Sequence, residues 1–150
     1  IPRPQIIVAD EPVSMIDASL RMNIVNLFLS LKDQYQTSFL YITHDLATAY
    51  YISDVIAIMY RGCIVEFGEA RSILTSPQHP YTRLLLESIP YIGKKWERES
   101  LVMSDMESKE FRFEGCKFYN RCPNAKDLCM QERPAAVRKD DGREVYCHFA

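Results

Sequence analysis

Ile6-Ile7-Val8-Ala9-Asp10-Glu11-Pro12 is an apolar run that ends in two carboxylates and a proline. It lacks polar alternation, which predicts a strand buried on both faces of a parallel sheet and stopped by Pro12. Downstream, Leu20, Ile24, Leu27, Phe28, Leu31 and Tyr35 recur at three- and four-residue steps. They predict an amphipathic helix from Ser19 to Tyr35, with Asp17 or Ser19 as N-cap. Ser38-Phe39-Leu40-Tyr41-Ile42-Thr43 reads as a second strand, ending in His44-Asp45. Strand, helix, strand implies a right-handed crossover and a parallel pair, hence an α/β fold. Both polar clusters then lie at strand carboxyl ends, where open α/β sheets hold their ligands.

The pattern continues to about Pro90. A short helix is expected from Leu46 to Ser53, then a β-hairpin of Val55–Tyr60 and Cys63–Phe67 turning at Arg61-Gly62, with Gly62 supplying a positive φ. Two helices follow, Ala70–Thr75 and His79–Ser88, separated by Pro77; the face of Leu84, Leu85, Leu86 and Ile89 must cover something. Residues 91–110 are polar and aperiodic and read as a linker carrying Trp96. From Phe111 to Ala150 the composition shifts to Cys, Arg, Asn and Pro, too poor in aliphatics for a core without a staple.

Whole-chain composition narrows the function. The 150 residues carry 18 Lys plus Arg against 20 Asp plus Glu, a net charge of -2, which argues against a nucleic-acid partner. With 47% apolar and 25% charged residues the chain can bury a core, and no apolar run of 18 spans a bilayer. Five cysteines without a secretory leader pattern predict reduced thiols rather than a disulfide framework.

Neighbouring residues on a strand point to opposite sides, so Asp10 and Glu11 suit two jobs. One carboxylate can hold Mg2+, directly or through water. The other can orient or deprotonate an attacking water, a general-base contribution of about 10²- to 10⁴-fold. His44 could hydrogen-bond a phosphoryl oxygen. Spacing alone serves equally for helix-capping carboxylates and a loop histidine.

Residues 6–12 resemble the Walker B segment of ABC transporter ATPases. Ser14-Met15-Ile16-Asp17 is similar to their D-loop, and Ile42-Thr43-His44-Asp45-Leu46 to their H-loop. Met15 and Ile16 depart from the usual Ser-Ala-Leu-Asp, but Asp17 is retained. The resemblance implies Asp10 for Mg2+, Glu11 as catalytic base, Asp17 for contact across an ATPase dimer and His44 for the γ-phosphate of ATP. Neither Gly-x-x-x-x-Gly-Lys-Ser/Thr nor Leu-Ser-Gly-Gly-Gln occurs, and in the family both lie upstream of Walker B. The implied fold is therefore a partial P-loop NTPase sheet lacking the Walker A strand, inactive by itself, from the C-terminal part of a longer protein.

Arg61-Gly62-Cys63-Ile64-Val65-Glu66-Phe67-Gly68 and Ser76-Pro77-Gln78-His79-Pro80-Tyr81-Thr82 are similar to the oligopeptide and dipeptide importer branch. For His79 itself, an N-cap or packing role at the helix start outweighs a ligand role. Membership would imply transmembrane permease subunits and a second ATPase subunit as partners, at the cytoplasmic face of the membrane.

Cys116, Cys122, Cys129 and Cys147 are spaced C-x5-C-x6-C-x17-C. Structural zinc uses tighter pairs and the common ferredoxin spacings differ, so the intervals point to a metal without naming it. The segment Gly115–Pro123 with Cys129, Glu132-Arg133-Pro134 and Cys147-His148 resembles the C-terminal extension of those importer ATPases, where these cysteines bind a 4Fe-4S cluster. Zinc is the alternative metal, and disulfides or four free buried thiols remain open. Cys63 is expected to be a small buried hydrophobe, and His148 to lie behind the ligands or face solvent. The implied organisation is 1–90 ABC ATPase part, 91–110 linker and 111–150 cysteine-rich extension. A non-enzymatic, metal-bearing interaction module is the competing class.

Overall fold

A computed structural model describes residues 3–88 and 113–150. The expected linker, with Trp96, and the helix-face residue Ile89 lie outside the described residues. The chain is a mixed α/β protein whose contacts group it into two compact units, Ile1–Asp54 and Val55–Ala150.

In the first unit, β1 (Ile6–Asp10) runs parallel to β2 (Ser38–Ile42), in register from Ile6 opposite Ser38 to Asp10 opposite Ile42. Helix α1 (Ala18–Tyr35) makes the crossover. Asp17 occupies its N-cap position without a side-chain cap bond, and its carbonyl accepts from Leu20 and Arg21 N–H. Gln36, at φ +52, ends the helix in the left-handed conformation. Helix α2 (Leu46–Ile52) is capped by Asp45, whose side chain accepts from the N–H groups of Ala47 and Thr48.

The parallel pairing matches expectation, but the burial does not. Ile6, Val8, Leu40 and Ile42 are exposed, because α1 covers only the face that carries Phe39 and Tyr41. Nor does α1 pack by the whole of the expected stripe, of which Ile24 and Phe28 do face the core. Val25 is fully buried with Val13 and Ile52, and Ile24, Phe28 and Leu29 pack around them, whereas Leu20, Leu27 and Tyr35 are exposed. Apolar residues occupy a wide arc of this helix, so periodicity alone did not identify the edge that meets the sheet.

The second unit is built on a hairpin, β3 (Val55–Tyr60) against β4 (Cys63–Glu69), with a bulge between Ile58 and Met59. Its turn has Arg61 at φ +48 and Gly62 at φ +74, the two positive values of a type I′ turn. Helices α3 (Ala70–Thr75) and α4 (Pro80–Glu87) follow as expected. Then come α5 (Asp127–Gln131) and the short strands β5 (Val137–Arg138) and β6 (Glu144–Val145). β6 pairs antiparallel with β4, giving the order β3-β4-β6-β5, and Tyr146 N–H extends the pairing to the Val65 carbonyl. The cysteine-bearing segment, short of aliphatics, thus borrows the hairpin's core of Ile56, Ile58, Val65 and Ile73, to which it adds Val145.

Candidate functional site

At the end of the parallel pair, Glu11 turns out of β1 with φ +46, a left-handed conformation that costs a non-glycine residue on the order of 1 kcal/mol. Its N–H donates to the Ile42 carbonyl at 2.9 Å, which fixes the turn against β2. Two residues beyond Ile42, His44 places Nδ1 2.7 Å from Glu11 Oε1. The carboxylate and imidazole singled out from separate motifs are therefore direct partners. His44 is otherwise open to solvent. Asp10 is the last residue of β1 and is exposed; Asp17 heads α1 and is also exposed.

Sequence reasoning missed Arg21 at this end. Its Nη1 donates to Asp45 Oδ2 at 3.1 Å and its Nη2 to the Ile16 carbonyl at 3.4 Å. A cation in the first turns of α1, next to the apolar steps, was the available signal.

In the second unit Cys116, Cys122, Cys129 and Cys147 line one cavity of about 50 Å³. This is well above the roughly 10–15 Å³ one water needs on the same measure. All five cysteines are free thiols, Cys63 being half-buried at the start of β4. The Cys116 N–H donates to the Cys129 carbonyl at 2.8 Å. This approach requires Gly115, where a Cβ would meet the Met130 and Cys129 carbonyls at 2.5 and 2.6 Å. Burial pushes the Cys116 and Cys122 thiols up, and the neighbouring sulfurs add to it, opposed by backbone N–H groups. Among the described residues, no three His, Cys, Asp or Glu side chains are disposed to hold a metal ion. Tetrahedral zinc would need sulfurs about 3.8 Å apart, given Zn–S of about 2.3 Å. The four thiols thus share one cavity without standing at the spacing that a single ion requires. His148 lines the same cavity, and its Nε2–H donates to the Glu132 carbonyl at 3.1 Å.

Beside the cavity, His79 caps α4 as expected: its Nδ1 accepts from Tyr81 N–H at 3.0 Å. It is buried, and desolvation holds its pKa down to about 4, against the Glu66 carboxylate, which raises it. Phe118 packs edge-on against Tyr60 and Tyr81 and tilted against His79, tying the loop after Cys116 to β3 and α4.

Residues 65–129 match the family described as oligopeptide/dipeptide transporter, C-terminal region. Over nearly its whole length the chain is similar to peptide-transport ATP-binding proteins. It is 42% identical over 146 residues to the probable D,D-dipeptide transport ATP-binding protein DdpF of Escherichia coli (strain K12), covering 97% of this chain and 47% of that protein. To the di/tripeptide transport ATP-binding protein DppF of Pseudomonas aeruginosa (strain UCBPP-PA14) it is 36% identical, over 99% of this chain and 46% of the relative. The dipeptide transport ATP-binding protein DppD of Escherichia coli (strain K12) is 37% identical, over 98% and 45% respectively. The chain spans about half the length of the curated relatives it matches.

Proposed function

We propose that these residues belong to an ATP-hydrolysing subunit that energises peptide import across a membrane, with residues 1–90 as ATPase part, 91–110 as linker and 111–150 as a cysteine-rich extension. In this reading the ATPase part is a P-loop NTPase sheet whose Walker A strand lies outside this chain, so these residues alone are inactive. The observation that carries the reading is the 2.7 Å contact between Glu11 Oε1 and His44 Nδ1 at two adjacent strand ends. Such a pair shares one proton. With Glu11 ionised, Nδ1–H donates to Oε1, which orients the imidazole and leaves the second carboxylate oxygen to take a proton from the attacking water. Base and phosphate donor are thereby linked through one hydrogen bond. Asp10 holds Mg2+, and Asp17 reaches a second ATPase subunit of the dimer.

The subunit sits at the cytoplasmic face of the membrane against transmembrane permease subunits. Among the described residues no helix is long and apolar enough to cross a membrane itself. Cys116, Cys122, Cys129 and Cys147 hold a 4Fe-4S-type group that staples the extension; the shared cavity supports this. When bound, the group supplies the positive charge that draws the thiols to thiolates.

The test is Glu11→Gln in the full-length subunit. ATP binding stays and turnover is lost. Hydrolysis near the parent rate would overturn the reading.

A further inference from the structure

Arg21 lies on α1, one turn past Asp17, and no motif discussed above gives it a role. One guanidinium touches two loops: Nη1 donates to Asp45 Oδ2 at 3.1 Å, and Nη2 to the Ile16 carbonyl at 3.4 Å. Ile16 immediately precedes Asp17, and Asp45 immediately follows His44. Asp45 is itself held from two further directions. Its Oδ1 accepts from Ala47 and Thr48 N–H, and its own N–H donates to Thr43 Oγ1 at 3.0 Å. The loop carrying His44 is thus anchored to α2 by a cap and to α1 by Arg21.

We propose that Arg21 is a positioning residue that locks the Ser14–Asp17 loop to the His44–Asp45 loop and so keeps His44 against Glu11. This rests on the ATPase reading above. As a stabiliser, a part-exposed ion pair counts for little. Its value here is geometric. The planar fork spans a carboxylate on one loop and a carbonyl on another, which a lysine's single point charge cannot do equally well. Releasing it frees the His44 loop at the strand end, and misplacement by about 1 Å is worth up to about 10²-fold in rate.

The experiment measures ATP hydrolysis by the full-length subunit as Arg21→Ala, Arg21→Lys, Asp45→Asn and the Arg21→Ala/Asp45→Asn pair, with Glu11→Gln as reference. Arg21→Ala is expected to lower kcat about ten-fold or more while KM for ATP changes less than about two-fold. Arg21→Lys recovers part of the loss. Asp45→Asn keeps a capping oxygen but loses the charge pair, so it lowers kcat similarly, and the double variant is little worse than either single one. Parent kcat in both Arg21 variants, or losses in the double variant that simply multiply, overturns the proposal. Where Arg21→Ala fails to fold, Arg21→Lys decides: a several-fold loss of kcat at unchanged KM supports the lock, and parent kcat refutes it. Persistent turnover in Glu11→Gln is a separate failure, because it removes the ATPase mechanism itself.

Discussion

Glu66 and Arg143, 77 residues apart in sequence, form a buried ion pair at 3.4 Å. Glu66 has no accessible surface, and its oxygens also accept from Gln78 and His79 N–H, each at 3.0 Å. Arg143 donates further to the Ser72 and Ser76 carbonyls and pairs with Asp141. One carboxylate therefore joins the hairpin, the turn that starts α4 and the turn before β6.

Removing the Glu66 carboxylate leaves the Gln78 and His79 N–H groups unsatisfied and Arg143 with Asp141 alone, at a cost of about 3–5 kcal/mol. Glu66→Ala should destabilise the protein by that order in urea unfolding, and Glu66→Gln by less, because an amide oxygen still accepts a backbone N–H. A loss under about 1 kcal/mol for Glu66→Ala would show that the network does not hold these segments.

His79 predicts an acid-side loss of stability. Its pKa is lowered from 6.5 to about 4 in the folded protein, chiefly by burial, with Glu66 opposing. Between these values the unfolded chain binds the extra proton, so stability rises with pH there. The contribution is complete above about 6.5, falls as pH drops towards 4 and is gone below it, a span of about 3 kcal/mol. Urea midpoints measured from pH 4 to 7 should follow this slope, and His79→Asn, which keeps a capping acceptor, should flatten it.

Gly115→Ala would drive a Cβ into two carbonyl oxygens. Backbone on both sides cannot yield as a flexible side chain could, so the loop from Gly115 to Cys116 must separate from Cys129. The variant is expected to lose whatever metal the parent carries, while Ala in place of the exposed neighbour Glu114 keeps it. Equal metal content in both would dissociate the cysteine cavity from this close approach.

Metal analysis of anaerobically purified full-length protein addresses the four thiols directly. Iron and labile sulfide are expected at about four each per chain, with a brown colour, from the ligand number of such clusters. About one zinc in a colourless protein would keep a metal module and remove the cluster.

Elements whose cause is local were legible in the sequence. β1 and its carboxylates, the Arg61-Gly62 turn and the α4 start at His79-Pro80 each follow from a few contiguous residues, and each stands where the pattern put it. The proposed site was half legible: Glu11 and His44 were singled out separately, but their contact was not. An isolated carboxylate inside Ile64-Val65-Glu66-Phe67 was a readable sign of a buried partner, yet nothing local identified Arg143.

Sequence by itself determined the α/β order and the parallel crossover and singled out candidate side chains, because backbone periodicity and turn residues act over a few positions. Only the tertiary structure decided that α1 packs by Val25 and leaves Leu20 and Leu27 open, that Arg21 bridges two loops, and that β6 closes onto β4 to bring Cys147 towards the other three thiols. Those outcomes depend on groups up to 77 residues apart competing for the same buried volume and the same unpaired donors, and no local pattern encodes that competition.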